Sequence, residues 1–419
     1  MKYLPFILCF SMLVFPYEFM GAKLGMMLLI ILGVLGMIGN RRGIIQFDRR
    51  FFIWFCIYFF AGFLPILIGF IRNNPAPEKY ITVYLLWTFV YFIYSVGISY
   101  NPNILTGLVR TFRIALIVIL IVGIGAFLVF NFYPNIDFIF SFMFEEVYRP
   151  GYHLKAISSG SIISFFYLFS FFFTLFFVDN SKIKYSQLLV IFFGFVFAIA
   201  TSRRALLLLI VLSPIIIFFF LVLAGNRNKL NFFLRKFKYM FGMLTFILIL
   251  NIPIQFIDIP HLVQYVKSAY NKDVATKVAA DAGMNTRTRQ INSLIEGWKN
   301  KPIFGVGSGV NASVVRSTIP GTYEMSYHAM LFERGIFGLI IFVILIISLN
   351  VIGINLIRRG NVYTDYIIAS IIAMNVILLA NATNPYLFAY DHLWTLFFTV
   401  ALLNVASLNQ QKTNALIHE

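Results

Sequence analysis

Hydrophobic residues fall in long, nearly unbroken blocks separated by short stretches where Lys, Arg, Asn and Pro collect. About twelve such blocks, each about 15 to 22 residues long, match the roughly 20 residues a helix needs to cross a hydrocarbon core. They cover residues 4–20, 22–39, 51–71, 81–99, 114–130, 161–178, 187–201, 205–224, 239–259, 335–357, 366–380 and 386–407. Blocks this long and uniform do not fit the alternating strands of an outer-membrane barrel. The first follows a single Lys and lacks a small-residue cleavage site, so it is expected to stay as a helix. The pattern predicts an all-α, polytopic integral membrane protein: one transmembrane domain over residues 1–419, with a long outer loop at 261–334 that contains an amphipathic helix.

Composition supports this reading. The chain is 60% hydrophobic and 12% charged, against about 45–50% and about 25% in soluble domains. Cys9 and Cys56 sit inside apolar blocks, which excludes a disulfide framework or a thiolate metal site.

The net charge of +17 has a topological origin first. Arg41, Arg42, Arg49 and Arg50, then Arg110 and Arg113, then Lys182 and Lys184, fall on alternate loops. Arg227, Lys229, Arg235, Lys236, Lys238, Arg358 and Arg359 continue the series, with Lys2 and Lys412 on the tails. Cytoplasmic loops carry the excess of Lys and Arg. Both termini are therefore expected in the cytoplasm, and the bulk charge implies no nucleic-acid partner. Polar residues on the opposite side collect at 131–160 and 261–334, so chemistry is expected on the outer face.

A few cations oppose the charge bias. Thr201, Ser202, Arg203 and Arg204 form a short outer connection between two apolar blocks. Two adjacent guanidinium groups there either snorkel to lipid phosphates or bind an anion at the outer leaflet, aided by the free amides of the following helix. Arginine suits the second role because its planar fork matches phosphate oxygens in pairs.

The long outer loop carries the second cluster, NTRTRQINSLIEGWKNKPIFGVGSG from Asn285. Asn285 or Thr286 can cap a helix, and Ile291, Leu294, Ile295 and Trp298 recur as one apolar stripe that Pro302 ends. Arg287 projects within that stripe and Arg289 to the opposite side; an interfacial helix with incidental arginines is the structural alternative. The following GVGSG, Gly305 to Gly309, lacks the Lys and Ser/Thr of a phosphate-binding loop and is expected to be flexible backbone near a ligand or a re-entrant turn. Beyond it, Glu324 and His328 stand four apart, which on a helix puts both on one face. Such a pair can act as base and orienter toward a hydroxyl. The five histidines are His153, His261, His328, His392 and His418; they are dispersed, without a metal-binding motif.

These pieces together resemble the membrane-embedded O-antigen polymerase and O-antigen ligase superfamily, the Wzy/WaaL type. TSRRALL, with Ser202 and Arg203, is similar to the family's Ser-Arg at the start of a mid-chain helix. Arg287 followed by PIFGVGSG resembles its Arg, amphipathic helix and Pro-x-x-Gly-x-Gly. ERGIFGL, Glu333 to Leu339, resembles its Glu-x-Gly-x-x-Gly. Motif similarity is confined to about residues 200–340, while the order of elements agrees along the chain. Ligases of the family place a His well before that last motif; the same interval reaches Glu324 here, and His328 falls too close and precedes Ala329. An acidic residue at that place resembles the polymerase branch.

The resemblance implies a GT-C-like glycosyltransferase of the bacterial inner membrane that uses undecaprenyl-diphosphate-linked oligosaccharides without a metal or other cofactor. It implies membrane lipids as surroundings, and a chain-length regulator and a flippase of the same pathway as partners. In that frame Arg203, Arg204, Arg287 and Arg289 bind the diphosphate, and Glu324, then His328, act on the acceptor hydroxyl. The alternatives are a ligase that transfers finished polymer to lipid A-core, and a lipid-linked-sugar flippase or transporter, for which broken helices and midplane charges are expected.

Overall fold

The computed structural model describes residues 3–16, 18–40, 46–147, 154–180, 185–201, 203–254, 282–315, 323–382, 384–388 and 392–418. Helices form α1 (Leu4–Val14), α2 (Met20–Asn40), α3 (Arg49–Ile71), α4 (Lys79–Tyr100), α5 (Asn103–Phe132), α6 (Ser161–Val178), α7 (Tyr185–Ala200) and α8 (Arg204–Ala224). They continue as α9 (Arg227–Ile254), α10 (Ala282–Lys299), α11 (Ser326–Arg358), α12 (Thr364–Asn381) and α13 (Trp394–His418). Each expected apolar block overlaps a helix among the described residues. Among the described residues seven helices, α2 to α6, α11 and α12, are long and apolar enough to cross a membrane, and α1, α7 and Leu212–Ala224 are apolar but shorter. The protein is an all-α, multi-pass membrane protein.

Several boundaries differ from the sequence reading. The block at 386–407 begins as a separate turn, Tyr386–Phe388, and helix resumes only at Trp394. Pro385 disfavours helical backbone at Asn384, and the side-chain oxygen of Asn381 holds the turn by accepting from the Leu387 N–H at 2.9 Å. α5 and α9 start well before their apolar blocks, extending over the polar residues that lead into them. The segment after α5, expected as loop, contains β1 (Glu145–Val147) and β2 (Ala156–Ser158), antiparallel with Glu146 opposite Ile157. Lys2, Arg41, Arg42, His153, Lys182, Lys184, Ser202, His261 and the loop stretches 255–281 and 316–322 lie outside the described residues.

The chain divides into two compact units. The first comprises Met1–Met27, Asn103–Lys267 and Ile357–Val376. Its centre is α6, buried along its length, where Phe165, Phe166, Phe169, Phe171, Phe173 and Phe177 stack on one another and on neighbouring rings. The last carbonyls of a helix have no partner within it. Here Lys229 Nζ donates to Val178 O at 2.8 Å, and Lys236 Nζ to Phe176 O at 2.7 Å and Asp179 O at 2.6 Å. Cations at a helix C-terminus also meet its negative end.

The second unit comprises Leu28–Pro102, Ser268–Leu356 and Ile377–Glu419. Asp48 caps α3 by accepting from the Arg50 N–H at 2.9 Å, and its other oxygen accepts from Ser407 Oγ at 2.5 Å and Arg50 Nη2 at 2.8 Å. Its own N–H donates to Asn404 Oδ1 at 2.8 Å. The start of α3 is thereby fixed to α13. Further along, Trp54 Nε1 donates to Leu345 O at 3.0 Å, and Trp54, Tyr58 and Tyr91 pack around Phe397.

Candidate functional site

α10 and the chain entering α11 lie side by side in the second unit. Arg287 Nε donates to Glu324 Oε2 at 2.7 Å, with the two side chains 45% and 28% exposed. One turn on, Gln290 Oε1 accepts from the Glu324 N–H at 3.0 Å. Two turns further, Gly297 sits so close to Phe332 that a Cβ there would lie 2.3 Å from the ring. The pair therefore runs parallel, and Arg287 meets Glu324 near the start of both segments.

The inward face of α10 is rotated from the one its apolar stripe suggested. Leu294 is fully buried, whereas Ile291, Ile295 and Trp298 are half-buried, and Gln290 and Ser293 point inward instead. The cause is close packing with assigned polar partners: Ser293 Oγ bonds Ser313 Oγ at 2.7 Å and accepts from the Val314 N–H at 3.0 Å. Tyr323 supports the same face, donating to Val310 O at 2.9 Å and accepting from the Ala312 N–H at 2.7 Å. Burial pushes its phenol pKa above the ordinary tyrosine value. Arg289 is exposed, and with the inward face rotated toward Gln290 and Ser293 it lies beside that face and not opposite to it.

Glu324 and His328 do not share a helix. α11 begins at Ser326, so Glu324 belongs to the non-helical lead-in and His328 to the first turn. Glu324 is held by α10 through both its side chain and its backbone. His328 is half-buried and its Nδ1 has no hydrogen-bond partner among the described residues.

The glycine loop has a different use from the expected flexible turn. α11 is broken at Gly335, whose φ of 63° and ψ of −172° suit glycine alone. The break removes the helical bonds from Ile336 and Phe337 to the carbonyls of Phe332 and Glu333. Residues 302–307 replace them: Ile336 N donates to Pro302 O at 2.9 Å and Phe337 N to Ile303 O at 3.1 Å, while Val306 N donates to Phe332 O at 2.9 Å and Gly307 N to Glu333 O at 3.0 Å. A Cβ on Gly305 would lie 2.4 Å from the Glu333 carbonyl carbon. On the loop's other side, Ser308 N donates to Pro65 O at 2.8 Å and Arg72 Nη1 to Gly305 O at 2.6 Å. The N–H groups of Gly305 to Ser308 are thus bonded to the protein itself and not turned toward a ligand.

The same splice brings in residues that sequence reasoning treated only as a motif. Glu333 is fully buried and accepts from Tyr80 Oη at 2.7 Å, and Arg334 lies over the Tyr84 ring at 4.1 Å. Buried ionisable residues in a membrane helix were a usable signal for a polar cluster, although their tyrosine partners come from a distant helix.

Arg203 and Arg204 belong to the first unit. Arg203 precedes α8 in extended conformation, half-buried, with Nη2 3.3 Å from Ser158 Oγ at the end of β2. Arg204 is the first residue of α8, and its side chain lies outside the described part.

The chain matches no curated protein. Its residues 157–343 match the family described as O-antigen ligase. That stretch runs from β2 into α11 and contains Arg203, Arg287, Glu324, the glycine loop and the break at Gly335. Over this stretch, somewhat under half of the chain, the protein is similar to the Wzy/WaaL-type superfamily, without distinction between its polymerase and ligase branches.

Proposed function

We propose that the protein is a glycosyltransferase of surface-polysaccharide assembly, a polymerase that joins undecaprenyl-diphosphate-linked oligosaccharide units at the periplasmic face of the inner membrane. The observation that carries this reading is the Arg287–Glu324 pair, a partly exposed guanidinium and carboxylate held together near the start of two parallel segments. The acceptor hydroxyl oxygen attacks the anomeric carbon of the donor sugar. Its proton passes to the Glu324 carboxylate as the bond from the anomeric carbon to the diphosphate oxygen breaks, and the electron pair leaves on the diphosphate. Arg287 stabilises that departing anion. Arg203 and Arg204, on the first unit, and Arg289 carry the further diphosphate-binding roles read from the charge pattern. The charge count supports cytoplasmic termini, and a flippase and a chain-length regulator are the partners such a reaction calls for.

The family match, described as O-antigen ligase, favours a second reading: transfer of finished polymer to lipid A-core. Purified protein given lipid-linked units alone separates the two. A polymerase lengthens them; a ligase needs lipid A-core to form any product.

A further inference from the structure

Gln290 is fully buried on the inward face of α10, one turn beyond Arg287. Its carboxamide orientation is fixed by chemistry. The Glu324 N–H can only donate, so the oxygen, Oε1, is the atom that faces it at 3.0 Å. The NH2 group is therefore turned away, and Nε2 has no hydrogen-bond partner among the described residues. A buried amide donor left without an acceptor carries its full desolvation cost. Packing does not require it there: Ser293, the next polar residue on this face, is satisfied by Ser313 and Val314, and Leu294 beside it is apolar.

Residues three apart on a helix are neighbours on its surface. Gln290 thus stands between Arg287, three positions earlier, and the backbone of Glu324. We propose that Gln290 is a substrate-binding residue whose Nε2 donates to an oxygen of the lipid-diphosphate-linked sugar, either on the diphosphate or on the sugar next to it. The inference rests on the diphosphate-sugar reading given above for Arg287 and Glu324. One amide then has two tasks. Its oxygen holds the backbone of the base, and its nitrogen reads the substrate beside it. Binding draws Arg287 from Glu324 toward the diphosphate, and this movement opens the Gln290 amide to the ligand.

The test uses the purified full-length protein in lipid nanodiscs, with binding of undecaprenyl diphosphate and of the same lipid bearing its oligosaccharide measured separately. Gln290→Glu keeps the size and the acceptor for the Glu324 N–H but loses the NH2 donor; Gln290→Met keeps the length without adding charge. Both are expected to weaken binding of the sugar-bearing lipid about tenfold, the effect of one lost hydrogen bond to a polar or charged partner, with unchanged thermal unfolding for at least one of them. Weakening with both lipids assigns Nε2 to the diphosphate, and weakening only with the sugar-bearing lipid assigns it to the sugar. Unchanged binding by both variants while Arg287→Ala binds weakly overturns the role of Gln290 alone. Unchanged binding by Arg287→Ala as well overturns the site on which the inference rests.

Discussion

Arg287 Nε is hydrogen-bonded to Glu324 Oε2 at 2.7 Å, across a loop of the chain that separates them by 37 residues. Each group in that bond occupies a partner that a bound diphosphate or hydroxyl would otherwise take. In the proposed reaction the substrate exchanges the partners: diphosphate takes Arg287, and Glu324 is released toward the acceptor hydroxyl.

Glu324→Gln is expected to separate binding from turnover. Loss of the carboxylate lowers turnover by about 100-fold or more, the usual contribution of a positioned base. Donor binding is retained or tightened, because Arg287 no longer has a competing anion. Measured kcat and KM for the lipid-linked donor check both halves. Full turnover in Glu324→Gln with loss in His328→Ala transfers the base role to His328.

Arg287→Ala and Arg203→Ala, produced at normal membrane levels, are expected to shorten the polymer seen on a gel. Arg287→Lys restores charge without the planar fork and is expected to recover only part of the length. Wild-type length in both alanine variants contradicts an anion-binding role for these arginines.

Gly335→Ala tests the splice in α11. A Cβ at this position would lie 2.2 Å from the Ile303 oxygen, at a φ of +63°. The backbone conformation alone costs about 1–3 kcal/mol for a residue with a side chain, and displacement of the loop adds to it. Reduced yield of monodisperse protein and a lower unfolding temperature are expected, with Gly338→Ala milder because, although its Cβ would lie 2.4 Å from the Arg334 Cβ, it carries no positive-φ penalty.

The Asp48 cap predicts an acid dependence. Burial raises its pKa, and the hydrogen bonds from Arg50 and Ser407 outweigh that effect and hold the carboxyl down at about 2, against an ordinary value of 3.8. A lowered folded-state pKa contributes stability at pH above the unfolded value, and that contribution is lost as pH falls through the folded one. Thermal stability in detergent should be flat in this contribution above pH about 5 and fall between about 4 and 2. Asp48→Asn should be less stable at neutral pH and lack that acid-dependent part. Identical acid profiles for the two proteins would show that the cap is energetically silent.

The helical blocks were readable because twenty apolar residues have few alternatives in a membrane. Arg287 was readable from its position in a polar loop, and its contact with Glu324 was not, because the two come from different segments. Apolar periodicity misled for α10: Gly297 and Ser293, both small, let neighbouring chain approach more closely than Ile295 or Trp298 could. No sequence pattern singles out Gln290, whose burial depends on the chain packed against α10. Glu333 pairs with Tyr80 across 253 residues, a distance at which spacing carries no information.

The most direct test of the central claim is a ladder assay: purified protein, a defined undecaprenyl-diphosphate-linked oligosaccharide and no lipid A-core, with chain length followed on a gel over time. The predicted result is a ladder of added repeat units from the wild-type protein and none from Glu324→Gln. Transfer that occurs only when lipid A-core is added, or a ladder that survives Glu324→Gln and Arg287→Ala unchanged, contradicts it.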